Sequence, residues 1–175
     1  LPSSSKVAAG LFNPITGRNM VLTWRVNEIF PFLQEFYKDL EELLKVKFLN
    51  MLPLYRPFAS NEDLNEWQGR LSQEKFKAYI DQVYTEGQYN SLAKNPMGGV
   101  KLRQTGYLNT PLLLAHFRSL LIEKDCLIDE KFKQDDLNFI DEKIVYKGNL
   151  ATKIIFCDGP MGFGNVLFEK IRFRS

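Results

Sequence analysis

The chain has 175 residues, 45% apolar and 25% charged, and its 23 lysines and arginines stand against 21 aspartates and glutamates for a formal charge of +2. That length suits one domain or a compact domain with appendages, and the composition excludes a wholly disordered, collagen-like or low-complexity chain. The two signs of charge are interspersed, which gives no support to an electrostatic nucleic-acid binder, and no apolar run approaches the ~20 residues of a membrane span.

The first residues, Leu1-Pro2-Ser3-Ser4-Ser5, lack the basic segment and apolar run of a signal peptide, and they read as the interior of something longer. Val7 to Phe12 is small and apolar, and Asn13-Pro14-Ile15-Thr16-Gly17-Arg18-Asn19 predicts turns. From Asn27 to about Val46, Ile29, Leu33, Phe36, Leu40 and Leu43 recur at three- and four-residue spacing. This period predicts a long amphipathic helix, with Asn27 as its N-cap and Pro31 a turn inside. Phe48 to Phe58 carries Pro53 and Pro57, which predicts an edge strand. Residues 61–70 and 73–84 predict two short helices that turn Trp67, Leu71, Phe76, Tyr79, Ile80 and Val83 inward. A polar loop then ends in the turn Asn95-Pro96-Met97-Gly98-Gly99.

Val100 to Thr105 alternates with period two and predicts a half-buried strand, continued by Gly106-Tyr107-Leu108 after a bulge at the glycine. Asn109-Thr110-Pro111 predicts a helix start, with Thr110 as N-cap and Pro111 at the first helical position. Leucines 112, 113, 114, 120 and 121 with Phe117 and Ile122 cover most of the circumference of this helix, so burial on several sides is expected. A strand and connection follow from Asp125 to Phe139, and then a hairpin of Ile144 to Tyr146 with Ala151 to Cys157. Its apolar run Ile154-Ile155-Phe156-Cys157 suits a strand covered on both faces, as in a parallel sheet. The order of elements predicts a mixed α+β (α/β) class with no internal repeat.

Cys126 and Cys157 lie outside any CxxC spacing and are expected to be reduced, partly buried thiols of a cytoplasmic protein. The lone histidine, His116, gives no zinc cluster and is expected at a core or boundary position. The carboxylate runs read as solvated faces, and no GxSxG, GxGxxG or Walker motif is present. The 14 phenylalanines and 7 tyrosines serve a core or line a ring-binding pocket. Ser3 to Gly10 offers hydroxyls, backbone N–H groups and little bulk, which suits close approach to a phosphate or a flat ring, or a simple packed turn.

The run Ser5-Lys6-Val7-Ala8-Ala9-Gly10-Leu11-Phe12-Asn13-Pro14-Ile15-Thr16-Gly17-Arg18 resembles the FAD-dependent oxidoreductases of the D-amino-acid oxidase/glycine oxidase type, in which a Ser-x-x-Ala-Ala-Gly-like loop lies along the flavin nucleotide. The later order, Gly98-Gly99-Val100 to Thr105, Gly106-Tyr107-Leu108-Asn109-Thr110-Pro111 and Ile154 to Gly159, follows that superfamily too. The resemblance implies a loop of a partial FAD-binding, Rossmann-like region at residues 1–24, a substrate-binding region with an antiparallel or mixed sheet and helices at 25–108, and a return to the FAD-binding region at 109–175. It implies FAD as cofactor, with Ser5, Ala8, Ala9, Gly10, Asp158 and Gly159 facing or near it, and a small-molecule amine or amino acid as substrate. Arg56, Arg103 and Tyr107 are the candidates for the substrate side. The reaction implied is oxidation of a C–N bond by hydride transfer to the flavin. The superfamily's GxGxxG strand and its closing half lie outside this chain, so the chain alone is expected to be inactive and to hold no FAD tightly; a stoichiometrically yellow preparation would overturn that. The alternative is a non-catalytic α+β binding or interaction module in which Ala8 to Gly17 is a packed turn.

Overall fold

The computed structural model describes residues 4–17, 20–86, 88–89, 91–157, 159 and 165–168. Among them five α-helices and eleven strands alternate, and every strand pair is antiparallel, so the class is mixed α+β. The chain divides into two compact units, Leu1–Leu127 and Ile128–Ser175.

The first unit begins with a single helical turn, α1 (Ser4–Val7), where the sequence predicted only a loop, followed by β1 (Leu11–Phe12), β2 (Ile15–Thr16) and β3 (Val21–Leu22). Helix α2 (Val26–Leu44) starts one residue earlier than Asn27, because Arg25 takes a left-handed conformation (φ 49°) and turns the chain into the helix. Asn27 is then free to accept a hydrogen bond from the Tyr79 hydroxyl. Val26 and Phe30 point into the core, while Phe32 and Phe36 stack on each other in solvent with centroids 5.7 Å apart.

The segment predicted as one edge strand is two, β4 (Leu49–Met51) and β5 (Leu54–Pro57), hinged at Leu52-Pro53. Both lie at sheet edges, where a proline N–H is not missed. Helix α3 (Asn61–Leu71) is capped reciprocally: Asp63 N donates to Ser60 Oγ at 3.1 Å, and Ala59 N donates to Asp63 Oδ2 at 3.0 Å. The second predicted short helix stops after one turn, α4 (Glu74–Lys77), and the chain becomes β6 (Ile80–Tyr84). Phe76 and Tyr79 do turn inward, but Ile80, Val83 and Tyr84 pair with a strand, which suits their β-branched and aromatic side chains better than a helix.

Strands β7 (Gly99–Leu102) and β8 (Gly106–Leu108) are separated at Gln104, whose φ of 57° makes the break two residues before the expected glycine. They centre two sheets, β5-β7-β6 and β1-β8-β4. Helix α5 (Thr110–Glu123) is capped by Asn109 rather than Thr110: Asn109 Oδ1 accepts from Leu112 N at 3.2 Å. Asn109→Ala is expected to cost about 1 kcal/mol of stability, read as a lower urea midpoint at unchanged slope. The expected burial of α5 does not hold. None of its residues is buried among the described residues, and Ile122 is 59% exposed; α1 and α2 are the elements it packs on most. His116 is likewise exposed.

The core of this unit joins Ile15, Met20, Val26, Phe30, Phe58, Trp67, Phe76, Tyr79, Val100 and Leu102. Val100 and Leu102 bring one face of the β5-β7-β6 sheet into it.

The second unit is a meander of β9 (Leu137–Ile140), β10 (Lys143–Tyr146) and β11 (Asn149–Ala151), with its second hairpin turning at Lys147-Gly148 as predicted. The outer strand ends at Ala151, opposite Ile144 near the start of β10, and Ile154 to Cys157 forms neither a strand nor a parallel pair, with Ile155 84% exposed. Phe132 stacks on Tyr146 at 5.0 Å. Both cysteines are free and exposed rather than partly buried. No helix among the described residues is long and apolar enough to cross a membrane.

Candidate functional site

Two of the segments that carry the family resemblance, Ser5 to Arg18 and Gly106 to Pro111, lie far apart in sequence, and the fold brings parts of them together. Strand β1 lies antiparallel on β8, with Leu11 opposite Tyr107 and Phe12 opposite Gly106. Just before β1, the Gly10 carbonyl accepts from Leu108 N at 3.0 Å, and the Ala8 carbonyl accepts from the Thr110 hydroxyl at 3.2 Å. Residues 8–12 and 106–110 of these two runs therefore adjoin.

Gly10 has φ +66°, and a side chain there would overlap the Leu108 carbonyl oxygen. Its glycine is required by β8, on grounds of backbone conformation and space alike. Ser5, Ala8 and Ala9 differ from it: all three are exposed, and their small side chains leave the ledge before β1 open. Beside that ledge α1 packs on α5, and Lys6, Leu114, Phe117, Arg118, Leu121 and Leu127 line a cavity of about 310 Å³. Two cationic side chains on an otherwise apolar wall suit a ligand that joins a flat apolar part to an anionic one.

The predicted substrate-side residues do not share one set of partners. Arg56, on β5, reaches the Gly17 carbonyl at 3.4 Å and Asp63 at 3.6 Å, and its guanidinium lies 5.7 Å from the Trp67 ring centroid. Arg103 follows β7 and reaches Asp81 at 3.5 Å. Tyr107 sits at the centre of β8, opposite Leu11 and Asn50. Gly159 is exposed in the second unit with φ +56°, and Asp158 lies outside the described residues.

A second cluster had one signal in the sequence, the doubled glycine at 98–99. Tyr55, Tyr84 and Tyr89 pack with ring centroids 4.8, 4.9 and 5.8 Å apart, and a Cβ on Gly99 would collide with the Tyr55 ring. The Tyr84 and Tyr89 hydroxyls share a hydrogen bond at 3.1 Å, and this bond together with burial pushes the Tyr84 phenol up. The fully buried Asn95 donates through Nδ2 to the Tyr55 oxygen at 2.7 Å, and its Oδ1 has no partner among the described residues. Lys101 ion-pairs with Asp81 at 3.0 Å, and this hydrogen bond holds its ammonium above the ordinary lysine range. Pro53, Tyr55, Tyr89, Leu92, Ala93 and Lys101 enclose a cavity of about 280 Å³.

What fold and site together define is an α+β chain with an open ledge of small residues beside a cationic, apolar cavity. No protein-family profile matches the chain, and no solved structure does.

Proposed function

We propose that this chain is part of a flavin-dependent oxidoreductase that oxidises the C–N bond of a small amine or amino acid, acting in the cytoplasm. The observation that carries the reading is the junction of β1 with β8: the first run that resembles the D-amino-acid oxidase/glycine oxidase superfamily and the Gly106 to Pro111 run that follows its order adjoin in space. The residues present are compatible with FAD. Exposed Ser5, Ala8 and Ala9 leave room for a flat ring system, and Lys6 and Arg118 supply positive charge to an anionic group.

In this reading Ser5, Ala8 and Ala9 hold the cofactor's nucleotide side and exclude water from it. Gly10 acts one step removed, by fixing the ledge to β8. When bound, FAD supplies the two-electron acceptor for the substrate hydride. The free, exposed cysteines agree with a reducing compartment.

The test is the visible spectrum of the full open reading frame that contains this chain. Oxidised-flavin absorbance is expected, bleached anaerobically by an amine or amino acid. Ala9→Phe, at an exposed position, is expected to lower flavin content about tenfold while leaving the unfolding midpoint unchanged. A colourless protein, or flavin content indifferent to Ala9→Phe, would overturn the reading. The second reading, a non-catalytic interaction module, is favoured by one observation: β8 alone accounts for Gly10. A colourless, well-folded protein is its expected result.

A further inference from the structure

We propose that the tyrosine-walled cavity over β5 and β7 is a binding site for a small aromatic monocarboxylate, separate from the ledge before β1. Tyr55 and Lys101 are cross-strand partners, while Val100 and Leu102, their neighbours along β7, face the core; the cavity therefore lies on the sheet face turned away from the core. The connection after β6 covers that face with Tyr89, Leu92 and Ala93. A volume of about 280 Å³ takes a single ring, and the Tyr55 and Tyr89 rings, tilted 54° to each other, offer it one stacking and one edge surface.

The charge of the ligand follows from the rim. Lys101, on the cavity wall, pairs with Asp81 at 3.0 Å, and Asp81 also meets Arg103 at 3.5 Å, so the trio behind that wall carries a net positive charge. An anionic group on the ring is attracted to it, a neutral one is not, and an ammonium is repelled. The back wall is rigid: Asn95, fully buried, holds the Tyr55 hydroxyl, and Gly99 lets the ring lie on the strand. Asn95 Oδ1 has no partner among the described residues.

The test titrates the chain with phenylacetate, with phenylacetamide as neutral isostere and with acetate as ringless anion, following the amide resonances of Tyr55, Leu92, Ala93 and Lys101 by NMR. Saturable shifts with phenylacetate are expected, at least about fivefold tighter than with phenylacetamide, and none with acetate. Lys101→Met should abolish the preference for the charged probe. Leu92→Glu, at a position on the cavity wall that is 82% exposed, should weaken phenylacetate about fivefold more than phenylacetamide. Absence of saturable shifts, equal affinity for charged and neutral probes, or an unaltered preference in both variants would overturn the assignment. No step requires flavin, so a colourless protein that binds phenylacetate refutes the oxidoreductase reading and keeps this one.

Discussion

Gly10→Val is expected to lower the unfolding free energy of the first unit by about 3–5 kcal/mol, from forcing a β-branched residue into left-handed backbone and from overpacking against a strand. The clash falls on the Leu108 backbone, which cannot rotate aside as a side chain would. The measurement is urea unfolding followed by tryptophan fluorescence, which reports this unit alone because Trp24 and Trp67 both belong to it. Gly10→Ala should lie between the two proteins. If valine is tolerated within about 1 kcal/mol, the packing of β1 on β8 described above is wrong.

The second large effect is expected at Glu41, the only buried carboxylate among the described residues. It lies near the end of α2, and its Oε1 accepts from the backbone N–H groups of Phe48 and Leu49 at 2.7 and 2.8 Å while Lys47 Nζ reaches Oε2 at 2.8 Å. The carboxylate thus fastens the helix to the start of β4. Glu41→Leu leaves two N–H groups without their acceptor and should cost about 4 kcal/mol. Burial by itself would raise the Glu41 pKa, but the hydrogen bonds from Lys47, Leu49 and Phe48 outweigh it and hold the carboxyl below its ordinary range. A group with a lowered folded pKa contributes stability that is full above its unfolded value, about 4.3, and is lost as pH falls through the folded value. The stability gap between the parent chain and Glu41→Gln should therefore be constant from neutral pH to about 5 and shrink in more acid solution. A gap that widens on acidification would show that the ionised form is not the one the fold favours.

The features legible in the sequence were those that depend on local chemistry. Helices α2 and α3 showed through the spacing of their inward-facing apolar residues, and the turns at 95–98 and 147–148 through their proline and glycine. Errors arose where a distant partner decides. Residues 80–84 carry apolar spacing that fits a helix, and only the presence of β7 makes them a strand. Ile154 to Cys157 is as apolar as a buried strand, yet β10 offers no register beyond Ala151. The leucines of α5 promised burial that the described residues do not supply. At the site the same limit applied: the glycine at position 10 was visible, but not that β8 is what presses on it. Tyr55 and Lys101 could not be connected until β5 was known to pair with β7.

The central positions of β7 and β8 have a consequence for how the chain is made. The pairing strands β1, β4, β5 and β6 all precede residue 99, and none of them hydrogen-bonds to another; each waits for β7 or β8. During synthesis two unfinished sheets must stay open until about residue 108 has emerged, their edges available to neighbouring nascent chains. The ten residues from Gly99 to Leu108 then close both together. A ribosome that stalls before them leaves four strands without a partner.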